Sequence, residues 1–518
     1  MPGSVPYGTI QLVVTSFDPR TGEAVEDVGP ETSAGDVAHL CAMAVEATAE
    51  LEALGRGGRA AMLRAMADAL ESDRELLVEI ANRETALGAP RLNGELTRTT
   101  FQLRFFAEVI EDGGYLEATI DHAGDTAMGP RPDLRKLLRP IGPVGVFGAS
   151  NFPFAFSVPG GDTASALAAG CAVVIKGHEA HPRTSQMCAA ALRQGAAAAR
   201  VTEDVVSLVL GRDAGTAVVL DPNIRAVGFT GSVGGGRALH DLASIRPDPI
   251  PFYGELGALN PLVICRNAAD TRSAEIATGL ANSFTLGVGQ FCTKPGLAFV
   301  PAGSQGDGLV AALVEAVTAK SAGVMLNARV QHGFAAGTSD LGQLPGITEL
   351  AAAQPQDWTQ EGWWGTPLLL EASPAAVEGV VLEECFGPVL VLVRYGSDNE
   401  LFDLLRRVGP ALTASIHADA DDLPLAHHLL DTLSGRVGRV VWNGYPTGVA
   451  VAWAMHHGGP YPATTDALHT SVGASSIRRW LRPVAYQDVP AELLPPELID
   501  APAAEHQVPR RVDGHLHI

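Results

Sequence analysis

The chain has 518 residues, 46% of them hydrophobic and 18% charged, so it can bury a large core over more than one domain, which excludes disorder as its main state. Its formal charge of −22, from 36 Lys and Arg against 58 Asp and Glu, argues against a sequence-independent nucleic-acid binder, which needs phosphate-neutralising cations. No apolar run approaches the roughly 20 residues that span a bilayer, and the start MPGSVPYGTI lacks a basic stretch followed by an apolar core, so no membrane association and a cytoplasmic location are expected.

From about Ala34 to Gly113, Ala, Leu and Ile recur every three or four residues between charged ones, as in Arg59-Ala-Ala-Met-Leu-Arg-Ala-Met-Ala-Asp-Ala-Leu. That spacing predicts a helical N-terminal layer. A β-α-β rhythm follows: a strand at Pro143–Phe147, a helix at Ala164–Gly170 and a strand at Ala172–Lys176, with further strands at Val205–Leu210 and Ala226–Phe229. Strands alternating with helices predict a mostly parallel, doubly wound sheet. Beyond Glu255, apolar runs at Leu262–Cys265, Leu297–Val300, Pro388–Val393 and Arg439–Trp442 predict a second α/β region reaching the 450s. The segment after Leu481 is Pro-rich and polar, and reads either as a loose tail or as an arm that packs on a neighbouring subunit.

Six cysteines (Cys41, Cys171, Cys188, Cys265, Cys292 and Cys385) show no Cys-x-x-Cys or Cys/His ligand spacing. Neither a disulfide framework nor a metal site is expected, and an important cysteine would act as a thiol. Cys292 is singled out by its Gly-rich surroundings, Thr285-Leu-Gly-Val-Gly-Gln-Phe-Cys-Thr-Lys-Pro-Gly296, where the chain turns tightly and bares its backbone. A buried structural cysteine is the plain alternative. In Pro251-Phe-Tyr-Gly-Glu-Leu-Gly257, Glu255 sits among apolar residues, where burial would raise its pKa and suit it to accept a proton; a carboxylate that caps a helix or pairs with a base is the alternative. Asn151, in Phe147-Gly-Ala-Ser-Asn-Phe-Pro-Phe154 at the end of a predicted strand, is either a turn residue or a donor to an oxyanion. The glycine-rich turn Phe229-Thr-Gly-Ser-Val-Gly-Gly-Gly between strand and helix could face a pyrophosphate, although it lacks the G-x-G-x-x-G spacing.

Taken in order, Ser-Asn-Phe-Pro (150–153), Phe-Thr-Gly-Ser (229–232), Glu-Leu-Gly (255–257), Gly-Gln-x-Cys (289–292) and Glu-Glu-Cys-Phe-Gly-Pro (383–388) resemble the aldehyde dehydrogenases over nearly the whole chain. Gly-Gly-Asp-Thr-Ala-Ser-Ala-Leu-Ala-Ala-Gly (160–170) and Asn-Gly-Tyr-Pro-Thr-Gly-Val (443–449) look like the branch that holds α-ketoglutarate semialdehyde dehydrogenases and NADP-dependent fatty-aldehyde enzymes. The segments Ala86-Leu-Gly-Ala-Pro-Arg and Trp453-Ala-Met-His-His depart from that branch.

The resemblance implies an α/β fold of aldehyde dehydrogenase type: a dinucleotide-binding domain (1–114 and 136–254), a catalytic domain (255–455), and an oligomerisation arm with the C-terminal segment (115–135 and 456–518). It implies NAD(P)-dependent oxidation of an aldehyde to a carboxylate, with Cys292 as nucleophile, Asn151 at the oxyanion and Glu255 as base. Lys176 would reach the adenosine ribose, Gly231 and Ser232 the pyrophosphate, and Glu384 the nicotinamide ribose, with Phe386 nearby. Glu179 resembles the acid that binds ribose hydroxyls in NAD enzymes, while Arg212 could offset it, so NAD or NADP stays open. A homodimer or homotetramer is implied by analogy. Broad or fatty aldehyde oxidation, CoA-acylating chemistry and a non-catalytic binding role are the competing readings.

Overall fold

The computed structural model describes residues 12–354 and 361–517. The N-terminal layer is helical as its periodicity predicts, in three pieces: Ala34–Ser72, Arg74–Thr85 and Ala89–Asp112. Ser33 caps the first by accepting from the Asp36 amide at 3.2 Å, the side-chain bond that a helix N-terminus lacks from its own backbone. Gly55, at φ +71°, breaks it between two helical runs. Gly113 ends the third in the left-handed region (φ +78°), where glycine carries no Cβ penalty.

The four sequence-predicted strands, joined by Phe252–Glu255, assemble into a parallel five-stranded sheet in the order Phe252–Glu255, Ala226–Thr230, Val144–Phe147, Val173–Lys176 and Val206–Val209. Each connection carries a helix: Gly161–Ala169, Pro182–Ala198, Arg212–Leu220 and Val233–Ile245. Val173, Val174 and Ile175 are fully buried, as expected for a strand covered on both faces. Strand order reverses between Val144–Phe147 and Ala226–Thr230, the kind of point where open α/β sheets leave a ligand crevice beyond their carboxyl ends. The edge strand Phe252–Glu255 was read in the sequence only as a motif; it puts Glu255 at that carboxyl end, in register with Thr230.

A second sheet has seven strands in the order Ile347–Ala352, Leu368–Ala372, Val389–Tyr395, Leu297–Pro301, Pro261–Ile264, Ala411–His417 and Val437–Trp442. All neighbours are parallel except the first pair. The segment after Leu481 is not a loose tail: Leu481–Gln487 pairs antiparallel with Leu134–Pro140, and Arg510–Val512 pairs with Ala118–Asp121. These strands, with His515–His517, form a separate five-stranded sheet. No helix among the described residues is long and apolar enough to cross a membrane.

Candidate active site

Cys292 lies on the loop that enters the seven-stranded sheet at Leu297, and Glu255 ends the edge strand of the five-stranded sheet, so each sheet supplies one of the two candidate residues. The loop is held tightly. Gly287, Val288 and Gly289 all have positive φ, an uncommon state for a β-branched residue and one that survives only where surroundings enforce it. A Cβ on Gly289 would stand 2.3 Å from the backbone of Gly387, so only glycine fits there. Gln290 accepts from the Leu326 amide at 3.0 Å and donates to the Gly287 carbonyl at 3.0 Å. Asn260, in the left-handed region at φ +51°, donates to the carbonyls of Cys292 at 2.8 Å and Lys294 at 3.1 Å, and accepts from the Thr413 amide at 3.1 Å.

Between Cys292 and Glu255 stands a residue that motif reading missed. His457 Nε2 lies 3.6 Å from Cys292 Sγ and 2.9 Å from Glu255 Oε1. His457 is 1% exposed and Glu255 4%, while Cys292 is half-buried. Ser471 Oγ donates to Glu255 Oε2 at 2.6 Å, and Thr470 Oγ1 accepts from the His457 amide at 2.8 Å. The one signal for His457 in the sequence was that its stretch, Trp453-Ala-Met-His-His, departed from the branch pattern. Nothing marked Ser471.

These contacts overturn the expected titration of Glu255. Burial alone would raise its pKa, but the charge and hydrogen bond of His457, with hydrogen bonds from Ser471 and Cys292, outweigh burial and hold the carboxyl down at about 2. Cys292 shifts the other way: burial, then the adjacent Glu255 carboxylate, push its thiol well above the usual range. The sulfur is thus biased toward its thiol form and the neighbouring carboxyl toward its ionised form. Glu255, Cys292 and His457 offer ligand atoms within 4.8 Å of one another, a spacing open to a metal; here those atoms contact each other.

Asn151 is buried beside the same loop, its Nδ2 donating to the Gln290 carbonyl at 2.9 Å. An amide nitrogen carries two N–H groups, so a second remains to offer. Arg91 Nη2 donates to the Asn151 carbonyl at 2.6 Å, and its guanidinium lies over the rings of Phe152 (5.0 Å) and Phe291 (4.8 Å).

The remaining sequence-selected residues gather at the carboxyl edge of the five-stranded sheet and on the 384–386 loop. Lys176 ends its strand and pairs with Glu179; burial would raise the Glu179 carboxyl, but Lys176 and His178 hold it down at about 2. Ser232 caps the Val233–Ile245 helix by accepting from the Gly235 amide at 3.3 Å, and nothing lies within 4 Å of a Cβ built on Gly234, so this helix start is open. Gly231 packs against Phe229, where a Cβ would meet the ring at 2.7 Å. Arg212 opens the preceding helix, Arg212–Leu220, and is exposed; one turn later Gly215 packs against Lys176. Glu384 presses on Gly257, where a Cβ would lie 2.0 Å from its Oε2, and burial pushes its carboxyl up to about 7. Below it Lys294 donates to the carbonyls of Cys385 (3.0 Å) and Val389 (2.9 Å). Arg212 and Phe386 make no side-chain hydrogen bond or ion pair with these groups among the described residues.

Residues 9–463 match the aldehyde dehydrogenase family. The chain is 44% identical over 505 residues to alpha-ketoglutaric semialdehyde dehydrogenase 2 of Azospirillum brasilense, covering 96% of this chain and 95% of that one. It is 40% identical over 446 residues to alpha-ketoglutaric semialdehyde dehydrogenase of Acinetobacter baylyi, covering 85% and 84%. In fold it is similar to PnpE from Pseudomonas sp. WBC-3, solved in complex with nicotinamide adenine dinucleotide, at a TM-score of 0.79, 21% identity and 95% coverage of both chains. A thiol, an imidazole and a carboxylate meeting where two sheets supply their loops and strand ends thus have a family to explain them: the chain belongs to the aldehyde dehydrogenase family and is an aldehyde dehydrogenase.

Proposed function

We propose that this enzyme oxidises α-ketoglutaric semialdehyde to α-ketoglutarate with NAD or NADP, through a thioester on Cys292. The observation that carries the reading is the contact chain Cys292–His457–Glu255. The substrate comes from the relatives at 44% and 40% identity.

The Cys292 thiol gives its proton to His457, whose Nε2 lies 3.6 Å from the sulfur, as sulfur attacks the aldehyde carbon, and the imidazole passes it to solvent, which leaves Glu255 ionised for the second step. The Asn151 amide and the Cys292 backbone N–H hold the resulting oxyanion, placing donors where charge develops. NAD or NADP, when bound, takes up the hydride. Glu255 then removes a proton from the water that cleaves the thioester, and Ser471 and His457 keep its carboxylate aimed at that site. No step draws on a metal.

The residues at the sheet edge fit a dinucleotide. An uncovered helix start at Ser232–Gly234 suits a pyrophosphate; Lys176 and Glu179 would hold the adenosine ribose, Arg212 would lie at its rim, Gly231 and Ser232 would meet the phosphates, and Glu384 with Phe386 would hold the nicotinamide ribose. The Glu179 carboxylate favours ribose hydroxyls over a 2′-phosphate. In this reading residues 1–114 and 136–254 bind the dinucleotide and 255–455 carry the nucleophile and the base, to which His457 and Ser471 are added from the start of the following segment. Segments 115–135 and 456–518 join chains into a homodimer or homotetramer; the edge strand Leu481–Gln487 offers an unpaired side for that purpose. A cytoplasmic location completes the proposal.

The test follows reduced-cofactor absorbance with the semialdehyde and with aliphatic aldehydes, under NAD and NADP separately. Preference for the semialdehyde supports the reading; preference for long apolar aldehydes replaces the substrate, and no reduction with any aldehyde overturns the activity.

A further inference from the structure

The Ala89–Asp112 helix carries Arg91, Glu95 and Arg98 at i, i+4 and i+7, on one face. That face covers the loop after Asn151: Glu95 Oε1 accepts from the amides of Phe154 at 2.8 Å and Ala155 at 3.0 Å. The Arg98 guanidinium lies 5.0 Å over the Phe156 ring, and Phe156 stands edge-on to His457 at 6.4 Å. Arg98 is thus one aromatic ring away from the imidazole that touches the Cys292 sulfur.

Its nitrogens are unusual. Nε and Nη2 are both buried and find no hydrogen-bond partner among the described residues. They form one edge of the guanidinium, the pair of parallel N–H groups that matches the two oxygens of a carboxylate. Leaving such donors buried and unpaired is costly, and a buried cation without a partner more so. Burial lowers the Arg98 pKa, and the charge of Glu95, then those of Cys292 and Glu255, act against that, yet Arg98 forms no ion pair with any of them among the described residues. The other arginines whose charge or contacts bear on the site each leave a single buried nitrogen without a partner, Nη1 of Arg91 and Nε of Arg439, and spend others on backbone carbonyls. Arg91 holds the Asn151 carbonyl at 2.6 Å, and Arg439 donates to the carbonyls of Gly448 at 3.0 Å and Pro446 at 2.6 Å.

We propose that the Nε–Nη2 edge of Arg98 is the seat of the substrate's carboxylate, gripping the far end of a short ω-oxo acid while its aldehyde carbon meets Cys292. The inference rests on the proposed function and adds to it the residue that selects an anionic aldehyde. The aromatic wall of Phe152, Phe156 and Phe291, whose rings contact one another at 5.2 Å, accommodates the methylene chain between the two ends. A long apolar aldehyde would leave the buried cation unpaired, so the same residue disfavours that class.

The experiment compares kcat/KM for α-ketoglutaric semialdehyde and for pentanal in the wild type, R98M and R98K. Methionine keeps the packing against Phe156 and removes the fork. The ratio of the two constants should fall about 100-fold in R98M, chiefly through KM for the semialdehyde, with R98K recovering part of the loss because lysine restores charge without bidentate geometry. A ratio unmoved in R98M overturns the carboxylate seat and leaves the proposed function standing; a wild-type enzyme inert toward both aldehydes overturns the proposed function itself. Should R98M fail to fold, the wild type still decides: pentanoate should compete with the semialdehyde and pentanol should not, and equal inhibition by both overturns the seat.

Discussion

The cluster around Cys292 and the rim of the five-stranded sheet are built on opposite plans. In the cluster, Glu255 is met inside a buried space by His457 on one oxygen and Ser471 on the other, and the result is a carboxyl held at about 2 and a thiol pushed far up. At the rim, Arg212 is exposed, the helix start at Gly234 is uncovered, and Glu179 is half in solvent. Position comes there from strand ends and a helix terminus, with the Lys176–Glu179 ion pair and the Ser232 cap added to them. Reactive groups need neighbours to set their protonation, whereas groups that grip a large ligand need open surface and fixed backbone.

Cys292→Ala tests the separation most severely. Turnover should fall by roughly 10⁶-fold, the scale of losing a covalent nucleophile, while cofactor affinity measured by fluorescence titration stays near wild type. Joint loss of both would show that cluster and rim are a single unit. A smaller effect sharpens the rim side. Glu384 is neutral below about 7 and ionised above it, and only the ionised form is a strong acceptor for ribose hydroxyls. The KM for cofactor should therefore drop by about 5-fold as pH rises through that value, and Glu384→Gln should flatten the dependence. An unchanged slope in that variant would take Glu384 out of the rim.

Both plans were visible in the sequence to unequal degrees. Strands covered on both faces announced themselves as unbroken apolar runs, as at Val173–Ile175 and Leu297–Val300. Ala411–His417 did not, because Thr413, Ser415 and His417 interrupt the run although every residue is buried. Leu481–Gln487 was masked by Pro483, which is tolerated because this strand lies at a sheet edge. Cys292, Glu255 and Asn151 stood out because each lies in a glycine-flanked or strand-end motif. His457 and Ser471 arrive from more than 200 residues beyond Glu255, a distance across which no local pattern speaks. Arg98 reads as one more solvated cation on a helix; only packing shows its edge buried and unpaired. The direction of the Glu255 shift was misread for the same reason, since burial was foreseeable and its donors were not.

The most direct test of thioester chemistry on Cys292 with Glu255 as its hydrolytic base is rapid mixing of Glu255→Gln with cofactor and semialdehyde, following reduced cofactor from the first turnover. The expected result is a fast burst approaching one equivalent per active site, then a steady state slowed by about 10³-fold. A first turnover slowed as much as the steady state, with no burst, would contradict it.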